Sequence, residues 1–275
     1  MSQPTRPGHK VLRVLVTVKA YPNPSKSLME ASCVAGITED KQLVRLYPVP
    51  FRYLAGPQKF KKYQWVEVPV VEARTDPRKE THRPQFERLE VVSPQLGTNG
   101  SWQERWRWVR SVLSNSLCDI QDAQQADGTS LGFFKPGEIL DLDWQEEEQR
   151  DWTAKELARL GIRDLFLNQD KKRLEPLEKI PYSFRYRFRC DDCRNAEPHY
   201  MKIVDWELMQ FYRRMRDESE TIEDCLRKVR DKWLDELCGP EKDTHFFVGN
   251  MQAHLNSFLV LGVFWPPKVK KGPLL

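Results

Sequence analysis

Two thiols and an imidazole form the most concentrated chemistry in the chain. Cys190 and Cys193 make a C-x2-C pair, and His199 follows shortly after. A tight turn between such thiols folds both Cβ vectors towards one tetrahedral ion, and a neutral imidazole supplies a third ligand. That donor set points to zinc in a structural role. Spacing does not fix the fourth ligand; His245 is the candidate, with Cys238 as the alternative, the two bracketing the end of one predicted helix. A redox dithiol is disfavoured, because Asp191 and Asp192 between the sulfurs would raise the thiolate pKa. Cys33, Cys118 and Cys225 each stand alone in apolar-patterned stretches and read as core residues.

Carboxylates come next. Asp205 and Glu207 invite a catalytic reading, since paired acids bind divalent ions or exchange protons. Residues two apart on a helix lie about 200° from one another, so on a helical reading these two cannot converge on one ion. Together with His199, Asn250 and His254 they are the candidate catalytic groups of a metal-assisted nuclease or related hydrolase.

Cations interleaved with rings suggest a different partner. Lys59, Lys61 and Lys62 are mixed with Phe60, Tyr63 and Trp65, and Arg185, Arg187 and Arg189 alternate with Phe184, Tyr186 and Phe188. Ammonium and guanidinium groups neutralise phosphates and flat rings stack on bases, so both segments are candidate nucleic-acid contacts. In a strand the three arginines share one face and the three rings the other.

These groups need elements to position them. Val11–Lys19 is β-branched on both faces, 30–37 and 42–49 read as a hairpin, and 63–73 as a further strand. Ser101-Trp102-Gln103-Glu104 has the form of a capping box, which predicts a helix over 102–118. Residues 121–130 read as a polar connection, 132–144 as β, and Thr153-x-x-Glu156 as the start of a short helix. Met201, Val204, Leu208, Phe211 and Met215 fit one helical stripe beginning near Tyr200, and Ile222, Leu226, Val229, Trp233 and Leu237 a second. Two apolar strands close the chain before a basic, proline-flanked tail.

The expected fold class is α+β: a small β-rich N-terminal sheet or barrel over residues 1–95, then a mixed α/β domain over 96–275 containing the zinc knuckle. A chain of 275 residues with 44 Lys+Arg against 40 Asp+Glu carries too little net charge to imply a polyanion partner by itself. It lacks G-x4-G-K-[ST], G-x-G-x-x-G, H-E-x-x-H and G-x-S-x-G, which argues against the common NTPases, dehydrogenases, zincins and α/β-hydrolases. No apolar run approaches the roughly 20 residues of a spanning helix, and the six cysteines suit a reducing compartment, so a cytoplasmic location is expected. The leading expectation is a nucleic-acid-binding protein with a structural zinc site. The alternatives are the hydrolase above and a structural subunit whose nine Trp anchor protein partners.

Overall fold

The computed structural model describes residues 10–73, 75–161, 176–191 and 193–269. Asp192, part of the segment before the arginine-rich strand and the end of the basic tail lie outside them.

The first hundred residues build a closed five-stranded barrel. Strands β1 (Lys10–Lys19), β3 (Met29–Thr38), β4 (Leu43–Val49), β6 (Thr81–Pro84) and β5 (Trp65–Glu72) pair in that order, and β5 returns to β1. Every pairing is antiparallel except β4 with β6. Two short strands, β2 (Asn23–Ser25) and β7 (Glu90–Val91), attach to β3 and β5. Val14, Val16, Val34, Leu46, Val66 and Val68 fill the interior. Val18, Ala35 and Ile37 point outwards, yet they are buried because they pack on Phe133, Phe247 and Leu261 of the C-terminal half. This second cover explains why β1 is apolar on both faces.

Helix α1 (Asn99–Val109) starts differently from its sequence signature. Gly100, Ser101 and Trp102 all have φ near +60°, so the regular helix begins only after Trp102, and the capping box does not form. Glu104 accepts instead from the Gly97 amide at 2.8 Å. The predicted helix over 102–118 is two helices. A 3-10 turn and the two-residue strand β8 (Leu113–Ser114) intervene, and Ser116 caps a separate helix α2 (Leu117–Asp127) by accepting from Asp119 N at 3.0 Å. Residues 121–127, read as a polar connection, belong to that helix.

The C-terminal half carries two sheets. One is antiparallel β10 (Glu138–Glu146), β11 (Tyr182–Arg189) and β12 (His199–Lys202); the other orders β14 (His254–Phe264), β13 (His245–Met251), β9 (Leu131–Phe134) and β8. Thr153 and Glu156 form the expected reciprocal cap on α3 (Ala154–Gly161). Helices α4 (Trp206–Glu218) and α5 (Ile222–Arg230), with a π-helical turn at Asp231–Glu236, close over the rings of β11. The 201–215 stripe is therefore not one helix. Met201 lies on β12, and Asp205 caps α4 by accepting from Glu207 N at 2.9 Å. Among the described residues no helix is long and apolar enough to cross a membrane.

Candidate metal centre

Strand β11 delivers Cys190 at its end, the following turn presents Cys193, and β12 opens on His199, which pairs with Phe188 in the ladder. The knuckle is thus a β-hairpin, not a strand followed by a helix. Gly137 makes room for its turn: a Cβ there would lie 2.3 Å from Asp191 Oδ1 and 2.6 Å from Asp191 N.

The fourth residue comes from α2. Cys118 Sγ lies 3.7 Å from His199 Nε2, beside Cys190 Sγ at 3.4 Å and Cys193 Sγ at 3.2 Å. All four donor atoms fall within 4.8 Å of one another, a cluster that could hold a metal ion. Tetrahedral zinc, with Zn–S of about 2.3 Å and Zn–N of about 2.0–2.1 Å, places sulfur and nitrogen roughly 3.6 Å apart, so the donors fit that group.

The surroundings favour the ligating forms of His199 and Cys193 and oppose that of Cys190. Burial, with Arg189 adding to it, lowers the His199 pKa, which keeps the imidazole neutral. Burial pushes the Cys190 thiol up to about 11, against backbone amides of Leu117 and Cys118 at the start of α2 that favour the thiolate. Burial also opposes ionisation of Cys193, but bonds from the backbone of Asn195 and Cys190 and from Cys118, with the Arg189 charge, together outweigh it and hold its pKa down. Arg189 and Arg194 stand at the rim, where Arg189 donates to Ala196 O and Arg194 to Asp122. A cleft of about 340 Å³ opens beside Cys118 between Gln121, Gln125, Arg194 and Asn256.

His245 is not in this cluster. It is buried at the start of β13, stacked on Phe133 at 5.2 Å and edge-on to Trp106 at 4.9 Å, with Nδ1 2.8 Å from Asp243 O. Cys238 is elsewhere too, donating to Trp233 O at 3.2 Å. Cys118, read as core, takes the fourth position. A signal for it exists: Ser116-Leu117-Cys118-Asp119 is itself a helix-start pattern, which puts a thiol in a first turn.

The candidate catalytic residues fall in separate places. His199 belongs to the thiol cluster. Asp205 and Glu207 do converge, because Asp205 is the cap and not a helical residue, but they converge on Lys62, whose Nζ donates to Asp205 Oδ1, Asp205 Oδ2 and Glu207 Oε2 at 2.9 Å each. Asn250 is buried and donates to Leu255 O at 2.6 Å, while His254 is exposed at the start of β14. These groups do not form one active site.

The basic candidates also divide. Lys62 is buried in its ion pairs, whereas Lys59 and Lys61 are exposed. Arg185, Arg187 and Arg189 share the outer face of β11 as expected, but each lies directly across from an acid of β10: Asp143, Asp141 and Glu138. On the other side Tyr200, 51% exposed, faces Arg187 and lies under Arg185, whose guanidinium is 5.3 Å from the ring centroid.

Comparison with protein families places these parts. A domain of unknown function, DUF8757, matches residues 113–274, more than half of the chain. The chain belongs to the DUF8757 family. All four donors lie within the DUF8757 portion. A second domain of unknown function, DUF8758, matches residues 10–111, so it takes in the barrel and α1, and the two meet near residue 112 where the sequence suggested a division at 95/96. No curated protein matches the chain.

Proposed function

We propose that this chain is a zinc-dependent protein in which one ion, held by Cys118, Cys190, Cys193 and His199, has a structural role. It fixes the start of α2 against the β11–β12 hairpin. The observation that carries this is the approach of three sulfurs to one imidazole nitrogen at 3.2–3.7 Å, contributed by two segments far apart in sequence. When bound, zinc supplies a closed tetrahedral cross-link and no open coordination position for chemistry. Three thiolates and a neutral imidazole leave the centre with one net negative charge, which Arg189 and Arg194 at the rim offset. Thiolate donors also suit a reducing compartment such as the cytoplasm.

Elemental analysis of the purified full chain tests this. One zinc per chain is expected, with a marked loss of thermal stability in Cys190→Ser or after strong chelation. Protein free of metal, with an unchanged melting temperature in Cys190→Ser, would remove the proposal.

A second reading is supported by the outer face of the β10–β12 sheet. Exposed Tyr200 between Arg185 and Arg187 offers a ring and guanidinium planes on which an unpaired base can stack. We assign single-stranded nucleic acid to this face, with Lys59 and Lys61 as further phosphate contacts. Titration of a short fluorescent oligonucleotide tests it: Tyr200→Ala and Arg187→Ala weaken binding by about 1–3 kcal/mol if a base stacks there. Equal affinity in both variants contradicts it.

A further inference from the structure

The four donors of the metal centre are not equally covered. Cys118, Cys190 and His199 are buried, at 5%, 6% and 8% exposure, whereas Cys193 is only half-buried. The covered three sit in the first turn of α2, directly after β11 and at the start of β12. Cys193 instead belongs to the turn between those strands, and the next four residues, Arg194 to Glu197, are all exposed. One sulfur of the centre is therefore open to solvent while the other two are shielded. Arg189 spans this turn, donating to Ala196 O at 3.1 Å, and its charge acts on Cys193. Cys190 Sγ and Cys193 Sγ approach the same His199 Nε2, at 3.4 and 3.2 Å, and both thiols lie on one hairpin.

A metal-bound thiol is deprotonated outright, whereas a free one is only a few per cent thiolate at pH 7. Asp191 and Asp192 disfavour a free reactive dithiol, but they do not decide a filled centre, where the ion has displaced the protons. We propose, resting on the zinc centre above, that Cys193 is an oxidation site at which hydrogen peroxide opens that centre. The Cys193 thiolate attacks one peroxide oxygen and the O–O bond breaks. Sulfur becomes a sulfenic acid and hydroxide leaves, a departure that the Arg189 charge favours. The Cys190 thiolate then attacks the Cys193 sulfur, displaces a second hydroxide and closes a disulfide. Two thiolates and one peroxide thus give one disulfide and two hydroxides, with two electrons passing from sulfur to oxygen. The donors lie within 4.8 Å of one another, and a disulfide requires sulfurs about 2.05 Å apart. For Cys190 and Cys193 that approach stays within one turn; for Cys118 it would have to carry α2. Cys118 and His199 remain, two of the four donors of a closed tetrahedral site, so the ion is lost and α2 loses its tie to the hairpin.

The full chain, loaded with zinc and freed of reductant, is exposed to hydrogen peroxide with a chromogenic zinc indicator present, and its unreduced peptides are mapped by mass spectrometry. One zinc is released per chain for each peroxide consumed, the peptide holding Cys190 and Cys193 is two hydrogens lighter, and dithiothreitol with added zinc restores the starting state. Pulsed alkylation of the zinc-loaded chain with iodoacetamide reads the accessible sulfur independently: Cys193 reacts several-fold faster than Cys118 and Cys190. A chain that holds zinc and keeps it in excess peroxide overturns the proposal and leaves the centre standing. Release with Cys118 in the disulfide, or alkylation of the three sulfurs at one rate, overturns it as well. A chain that takes up no zinc contradicts the centre itself, and this oxidation with it.

Discussion

Two clusters of converging polar side chains, one at the seam between barrel and C-terminal half and one at the knuckle, differ in where their cations lie. At the seam, Asp205 and Glu207 close on Lys62, an ammonium supplied by the chain itself. At the knuckle, Cys118, Cys190, Cys193 and His199 close on one another, and the cations stay at the rim, where Arg189 and Arg194 bond Ala196 O and Asp122 while Arg194 also acts on Cys118 and Arg189 on Cys193. Buried anions need a cation, internal or external. The comparison teaches that convergence of donors alone does not mark a metal site; what sets the knuckle apart is that its cations stand at the rim and none takes the central position that Lys62 Nζ takes at the seam. The seam cluster shows this, since two acids that meet at one point would otherwise pass for ion ligands.

The largest expected effect is at the knuckle. Cys118→Ser should strongly weaken metal retention, so that the purified variant carries far less than one ion per chain, and lower stability by about 4 kcal/mol, the scale reached when a structural metal is lost. Thermal denaturation with parallel metal analysis checks this. Replacing His245 with Gln should leave metal content unchanged, because that ring belongs to the Phe133 and Trp106 cluster.

The seam should respond next, and independently of chelators. Lys62→Met leaves Asp205 buried beside Glu207 without its cation, at a cost of about 3–5 kcal/mol in urea denaturation. Adding Asp205→Asn to it should recover part of that loss, and chelation should not distinguish any of these variants from their parents in metal dependence at the seam. Full stability in Lys62→Met would break the comparison.

A smaller effect concerns Glu30, whose burial raises its pKa to about 7, outweighing Arg52. A carboxyl with a raised folded-state pKa adds stability that is fully present below its unfolded pKa, near 4.3–4.5, and is lost as pH rises through 7. The wild type should therefore lose roughly 3 kcal/mol between pH 4.5 and 8 from this group, and Glu30→Gln should flatten that slope. Urea titrations at pH 5 and pH 8 measure it. The smallest effect is expected for His254→Ala, within about 0.5 kcal/mol, because its side chain is exposed.

Much of this arrangement was legible in the residues, and what was not has identifiable causes. The barrel strands declared themselves because β1 and β5 are dense in β-branched side chains. The C-x2-C pair and His199 were legible because their spacing is local. Cys118 was hidden by a run of apolar residues from Trp102 to Leu117 that matches one helical period, although the chain breaks at Arg110–Val112 and restarts at the Ser116 cap. The meeting of Asp205 and Glu207 was hidden by one residue of helix phase. A cap has extended backbone, so the 100° step between neighbours does not apply to it. The pairing of Arg185, Arg187 and Arg189 with acids of β10 depends on sheet register between strands some forty residues apart, which alternation within one strand cannot reveal.

The most direct test of the four-donor centre is titration of metal-free protein with cobalt(II), comparing the wild type with Cys118→Ser. Three thiolates and one imidazole in a tetrahedral site should give intense visible bands and thiolate-to-cobalt charge transfer, saturating at one ion per chain. Loss of one thiolate should cut the charge-transfer intensity by about a third and weaken binding strongly. Identical spectra and affinity in the two proteins would show that Cys118 is not a ligand and would contradict the proposed centre.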